Sequence, residues 1–327
     1  MMMLSWGSSF FDAPAFHPHD PLTSPLRLST EHFQANWQVP LVTSVGYVAF
    51  IAYGHTFMKE RPAFHLQRQL VAWNFFLALF SFVGATKTAP LLWTTLMQSS
   101  GDGFHTTLCG SAADGYGKGS SGLWVQLFVV SKFFELLDTV FIVLRKRKLL
   151  FLHWYHHFTV LLYCYHSYAV EAPHALYFVA MNYSVHAVMY FYYGLMALHA
   201  KPKWLPPELI TTAQISQMVV GVAVQIAAMS KNCGDTTNLV FGALMYASYL
   251  GLFLKFAVER YVLRKFPRGK LFKVVGGYDK PASIRSAFPV FFRLVDAIDF
   301  YIGQKQKPLR RSSSSAISIG SSTDGDP

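Results

Sequence analysis

An all-helical, polytopic membrane protein with seven spanning helices is the fold class that this sequence predicts, on three observations. The 327-residue chain is 52% hydrophobic and only 14% charged, against about 25% charged residues in soluble domains. Its apolar residues gather in segments close to the roughly 20 residues that a helix needs to cross about 30 Å of hydrocarbon. Most of its basic residues stand at the ends of those segments or in the tail.

Residues 1–36 hold Pro, His, Asp and Ser without a sustained apolar run and read as an N-terminal extension, partly ordered at best. The membrane core is expected over 37–265. Its first span covers 39–58 and is stopped by Lys59, Glu60, Arg61 and Pro62. The second covers 69–86, followed by a long interruption over 88–121 with a short helix around 91–97. The third, 123–144, ends in Arg145-Lys146-Arg147-Lys148, the sharpest topological marker in the chain. The remaining spans are 149–167, 176–198, 209–229 and 239–258. Residues 266–303 form a cytosolic segment whose apolar pattern suits a membrane surface or docking against the bundle. Residues 304–327 read as a disordered, basic and Ser-rich tail, with phosphorylatable serines behind Arg310 and Arg311. The terminal Thr-Asp-Gly-Asp-Pro shows no lysine-based or KDEL-type signal.

The charge distribution orients the spans. Lys59, Arg61, Arg68, Arg145–Lys148, Lys201, Lys203, Arg260, Arg264 and Lys265 all fall on one side, whereas the opposite loops hold mainly Lys87, Lys118 and Lys231. The positive-inside rule then gives a cytosolic C-terminus and a lumenal or external N-terminus. A formal net charge of +11 would point to nucleic acid in a soluble protein; here it serves topology and anionic partners, and no nucleic-acid partner is expected. Of three cysteines, Cys109 and Cys233 fall on the oxidising side, so a disulfide between them is expected, with Cys164 left as a buried thiol.

Chemistry concentrates in four of the spans. His153, His156 and His157 occupy neighbouring rows of one helical face in apolar surroundings, where each ring must be hydrogen-bonded, liganded or reactive. Lys132, Glu135 and Asp138 recur every three residues, and a Lys132–Glu135 ion pair would leave Asp138 unexplained. Asn182, His186 and Met189 share a face beside Tyr190 and Tyr193, and Thr211, Gln214 and Gln217 repeat at intervals of three. Asn74 adds a polar group to the second span. Asn182-Tyr-Ser184 fits a glycosylation pattern, but within a span it is not expected to be modified. Polar stripes on otherwise apolar helices describe a ring around a polar pocket with apolar reaches, suited to a ligand with one charged and one long hydrocarbon end.

In order and spacing, Lys132-x-x-Glu135-x-x-Asp138, His153-x-x-His156-His157, Asn182-x-x-x-His186-x-x-Met189-Tyr190-x-Tyr192-Tyr193 and Thr211-x-x-Gln214-x-x-Gln217 resemble the signature boxes of the ELO family of very-long-chain fatty acid elongases. The resemblance covers roughly 37–265. Residues 152–163 look most like the members that extend saturated and monounsaturated chains.

That resemblance implies a 3-oxoacyl-CoA synthase of the endoplasmic reticulum membrane, condensing malonyl-CoA with a long-chain acyl-CoA and releasing carbon dioxide and CoA. It implies six of seven helices around an acyl tunnel, no metal and no redox cofactor. The reductases and dehydratase of the elongation cycle are the implied partners within the lipid bilayer, and a homodimer is left open. By position, His156 would accept the acyl group, His186 would face it, His153 and His157 would tune the site, and Lys132, Glu135 and Asp138 would belong to its polar network. A neutral imidazole can attack a thioester, and its acyl derivative stays reactive. Arg145, Lys146, Arg147, Lys148, Lys201 and Lys203 form a basic rim for the phosphates of CoA. Two other classes compete. A membrane di-iron desaturase or hydroxylase also uses His-x-x-His-His but needs more dense histidine boxes than the single one here, and a seven-helix transporter rests on span count alone.

Overall fold

The structure is a computed structural model that describes residues 25–98 and 102–262. The expectations for residues 1–24, 266–303 and 304–327 lie outside the described residues. All regular elements described are helical: α1 Pro25–Ala35, α2 Gln38–Met58, α3 Gln67–Leu96, α4 Gly103–Cys109, α5 Gly119–Glu135, α6 Leu137–Leu144, α7 Phe151–Ala169, α8 Ala175–Ala197, α9 Pro207–Ser230 and α10 Thr236–Ala257, followed by a π-helical turn Val258–Val262. Four stretches are long and apolar enough to cross a membrane by length and composition: Gln38–Met58, Gln67–Leu96, Pro207–Ser230 and Thr236–Tyr261. Of the helices outside that set, α5 with α6, α7 and α8 carry Lys132, Glu135, Asp138, His153, His156, His157 and His186. Outward residues such as Leu79, Phe82, Ile226 and Leu244 are exposed, which suits a multi-pass membrane protein whose outer surface meets lipid.

Contacts between helices form a closed circuit: α3 packs on α8 and α5, α5 on α7, α7 on α10, α10 on α9, and α9 returns to α8. α2 lies outside this circuit against α6 and α7. Hydrophobic burial does not drive association between helices within lipid, so close packing at small residues does the work. The α3–α8 pair shows it twice. A Cβ on Gly84 would stand about 2.5 Å from the ring of Tyr183, and one on Gly194 about 2.9 Å from the ring of Phe75. Each helix thus seats an aromatic of the other on a bare backbone.

Three local readings are corrected. The second span and the short helix around 91–97 are one continuous helix, α3, with Pro90 inside it. Polar residues do not end it because the hydroxyls of Thr86 and Thr88 bond to the carbonyls of Val83 and Gly84, satisfying themselves on the helix. Conversely, the third span is broken at Leu136, where the N–H of Thr139 turns back to the Leu136 carbonyl at 3.1 Å. The extension is also not all peripheral: in α1, Phe33 packs on Tyr165 and Tyr168, and the Thr30 hydroxyl donates to Glu171 at 2.8 Å.

Four helices close in the same way. Lys146, Glu171, His199 and Asn232 take positive φ after α6, α7, α8 and α9, and the next residue's N–H reaches back five positions, from Arg147 to Ile142, Ala172 to Ser167, Ala200 to Leu195 and Cys233 to Ala228. At one end of the bundle this turns Arg147 toward the interior. At the other it presents Cys233, which is bonded to Cys109 of α4 with a Cα–Cα distance of 4.8 Å.

Two measurements check this packing. Gly84→Val should destabilise the detergent-solubilised protein by about 1–3 kcal/mol, read as a drop in Tm of several degrees, because Tyr183 is held in place by its hydroxyl bond to the Trp124 carbonyl. An unchanged Tm would show that the α3–α8 approach is not that close. Non-reducing peptide mapping should return the Cys109 and Cys233 peptides joined, and recovery of both as free thiols would remove the bond.

Candidate active site

Two cavities meet inside the circuit. The wider, about 610 Å³, opens at the end of the bundle where α3 begins and α6 and α8 finish, and its walls include Gln67, Arg145, Arg147, Asp138, His153, His156, His157, His186, Tyr190, Tyr193, Gln214 and Gln217. The narrower, about 40 Å³, is a slit walled by Val125, Val129, Val160, Phe178, Val179 and Met245. His156, Asn182, Gln217 and Met218 line both, so they stand at the junction.

The break at Leu136 divides the acidic box. Lys132 and Glu135, on α5, are almost wholly buried and pair at 2.6 Å. The Ser131 hydroxyl also bonds to Glu135, and the Lys132 ammonium donates to Asn182 Oδ1 at 3.1 Å, tying α5 to α8. Asp138, on α6, faces elsewhere: it accepts from the indole N–H of Trp73 at 2.6 Å and from the Tyr190 hydroxyl at 2.7 Å. The expectation of one continuous acidic face is thus replaced by two separate anchor points, one on α8 alone and one on α3 and α8.

His186 takes its orientation from this network. Because Asn182 Oδ1 is occupied by Lys132, its Nδ2 is the group that faces His186 Nε2, at 3.2 Å, and must donate. The His186 proton then sits on Nδ1, which points at Glu135 Oε2 from 4.0 Å. That carboxylate oxygen has no other partner among the described residues. Tyr190 sets its ring edge-on to His186 at 5.3 Å.

The three histidines of α7 are not equivalent. His153 and His157 lie one above the other with ring centroids 4.4 Å apart, and His153 Nε2 meets Thr139 Oγ1 at 3.1 Å, which in turn meets Tyr47 of α2 at 2.7 Å. His156 turns the other way. Its ring lies 4.9 Å from that of Tyr249, whose hydroxyl reaches the His156 carbonyl at 3.2 Å and Thr159 at 2.5 Å. Its imidazole is therefore held by packing against Tyr249 and His157, and the residue lines both cavities.

Among the amide residues, Gln214 donates to the Met189 sulfur at 3.3 Å, while Gln217 is buried at the junction. Tyr193 borders the wider cavity. Of the six basic residues, only Arg145 and Arg147 line it. Arg145 donates to Gln67, which donates to the Ala197 carbonyl, while Lys146 bonds to the Lys59 carbonyl. Lys148, Lys201 and Lys203 are exposed and outside the walls. Partial burial, and then the neighbouring Arg147 charge, push the Arg145 guanidinium below its usual range. Ala169 and Gly221, small residues near the far end of the slit, are not in its walls: Gly221 lies behind Tyr246 and Phe178, which are. Sequence reasoning missed Trp73, Thr139, Met218 and Tyr249. Tyr246 and Tyr249 recur at a helical interval in the last span, the one signal that could have marked that face.

Among the described residues no three His, Cys, Asp or Glu side chains are grouped as metal ligands. The arrangement offers a packed imidazole at a junction, a second imidazole with a carboxylate behind it, and a buried ion pair that orients the second through Asn182. Lys132→Met should cost about 3–5 kcal/mol in stability, because it strands the Glu135 charge, and Lys132→Met with Glu135→Gln should recover much of the loss. Thermal unfolding of the two variants in detergent reads this, and equal stability of both would mean that the ion pair is not what holds α5.

Residues 32–268 match the family described as ELO: GNS1/SUR4 family. Very long chain fatty acid elongase 6 of Gallus gallus is 41% identical over 234 residues, 70% of this chain and 86% of its own. Very long chain fatty acid elongase 3 of Homo sapiens is 38% identical over 238 residues, covering 71% and 86%. Fatty acid elongase 3 of Trypanosoma brucei brucei is 36% identical over 263 residues, covering 70% and 87%. The four spaced boxes and the junction they build sit inside that matched region, and the chain belongs to the ELO: GNS1/SUR4 family of fatty acid elongases.

Proposed function

We propose that this elongase condenses malonyl-CoA with a long-chain saturated or monounsaturated acyl-CoA at the junction of the two cavities, with His156 as the acyl-accepting nucleophile. The observation that carries the reading is that His156 lines both the wide cavity and the apolar slit. In this reading the circuit α3–α5/α6–α7–α10–α9–α8 is six membrane-spanning units around an acyl tunnel, and α2 is a seventh span outside it. The basic end is cytosolic and the disulfide-bonded end lumenal, in the endoplasmic reticulum membrane.

CoA enters at the wide mouth, where Arg145 and Arg147 meet its phosphates. The hydrocarbon threads into the slit and spreads its walls, a movement eased by the unbranched Met218 and Met245. His156 attacks the thioester carbonyl, forming the acyl-imidazole and releasing CoA. Malonyl-CoA then occupies the wide cavity and loses carbon dioxide, and its enolate carbon attacks the acyl carbonyl, breaking the bond to His156, which leaves as imidazole on taking up a proton, to give the 3-oxoacyl-CoA. His186, backed by Glu135, exchanges its Asn182 hydrogen bond for one to substrate and manages the proton. Asn182 and Gln217 offer N–H donors to the developing oxyanion. No metal or redox cofactor enters these steps, and the product passes to the reductases and dehydratase of the cycle.

Purified protein given a long-chain acyl-CoA without malonyl-CoA should release one CoA per active molecule and gain one acyl group in mass. Added malonyl-CoA should discharge it as a product two carbons longer. His156→Ala should abolish the adduct, whereas His186→Ala should keep the adduct and lose condensation. Turnover with no adduct at any time would refute the nucleophile and leave direct condensation.

A further inference from the structure

The slit is apolar along its middle but not at its floor. Along α7 its wall is made by His156, Val160, Tyr163, Cys164, Ser167 and Tyr168, one face of the helix, so it runs about 16 Å from His156 to Ser167 at 1.5 Å per residue. Beyond Ser167 the chain closes at Glu171, and His174 then enters the slit from the turn before α8.

Of the polar side chains at this floor, Gln225 leaves its Oε1 without a hydrogen-bond partner among the described residues, and His174 leaves both ring nitrogens so. Tyr163 accepts from Gln225 Nε2 at 2.7 Å and donates to Asn238 Oδ1 at 3.3 Å. Ser167 accepts from Asn238 Nδ2 at 2.8 Å, and the Asn238 backbone is held by the Asp235 cap. His174 is only 1% exposed, yet neither of its ring nitrogens has a hydrogen-bond partner among the described residues. Its ring rests edge-on against Phe178, itself a wall of the slit, at 5.7 Å. A buried imidazole with two unanswered nitrogens at the blind end of an apolar passage calls for a ligand atom there.

We propose that His174 forms a hydrogen-bonding site for the far end of the acyl chain, selecting substrates that carry a hydroxyl at the ω carbon. The inference rests on the slit being the acyl site. Burial lowers the His174 pKa to about 4, which keeps the ring neutral, with one donor and one acceptor. A hydroxyl, being both donor and acceptor, can pair with whichever of the two nitrogens it reaches. A terminal carboxylate could accept only from the N–H and would bury its charge beside a neutral ring, and a methyl answers neither nitrogen. A water molecule has the same chemistry as the hydroxyl, so the test must separate the two.

The measurement is malonyl-CoA-dependent elongation by the full-length protein of a homologous series of saturated acyl-CoAs and their ω-hydroxy counterparts, as the ratio of kcat/KM within each pair. The ratio should peak, by about tenfold, at the one length that brings the hydroxyl to His174. His174→Gln, which keeps a donor and an acceptor, should retain the peak, and His174→Leu should lose it. Because each ratio is internal to one preparation, general damage from a substitution cancels. A flat ratio in the native protein, as expected if the floor holds only water, overturns the proposal whatever the variants do, and so does a peak that survives His174→Leu. Absence of elongation with the unsubstituted series would instead refute the condensing reading itself.

Discussion

Everything in this bundle depends on one constraint: charges placed among apolar helices must be answered by other parts of the protein. The ion pair of Lys132 with Glu135 is buried, and desolvating two charges costs more than their attraction alone returns unless further hydrogen bonds complete the site. Asn182 and Ser131 supply those bonds, and Asn182 then dictates which nitrogen of His186 carries a proton. The polar network that holds α5 to α8 is therefore the same one that orients the second imidazole. Stability and chemistry cannot be altered separately here.

The interruption at Leu136 extends that logic. An unbroken helix would present Asp138 on the same face as Glu135, adding like charge to a buried carboxylate. The turn after Leu136 sends Asp138 to Trp73 and Tyr190, where two neutral donors stabilise it. Tyr190 passes the constraint on, since its ring is packed against His186. Two acidic residues three positions apart thus fix one imidazole from two directions.

How far the sequence leads can be judged on particular residues. Four of the long apolar helices and the four polar boxes were legible because such helices announce themselves by length and because ionisable groups inside them are too costly to be incidental. The continuity of α3 was not, since Pro90 and the polar run before it look like an ending until the hydroxyls of Thr86 and Thr88 are seen bonding to their own helix. Which of six basic residues face the cavity was equally hidden. Arg147 does so through the left-handed turn at Lys146, a conformation that lysine does not advertise. Trp73 and Tyr249 were unmarked because an aromatic in an apolar helix carries no sign of where its polar atom is used.

The three histidines of α7 show what helical geometry adds to composition. At 3.6 residues per turn, positions 153 and 157 fall on one row and position 156 on the next. The first row meets α6 and, through Thr139, Tyr47 of α2, so hydrogen bonds and ring contact engage its imidazoles. The second row meets α10, where Tyr249 grips the backbone of His156 and leaves its ring free at the junction. A cluster of three imidazoles is sorted by a rotation of less than one turn into two that pack on each other and one that packs on Tyr249.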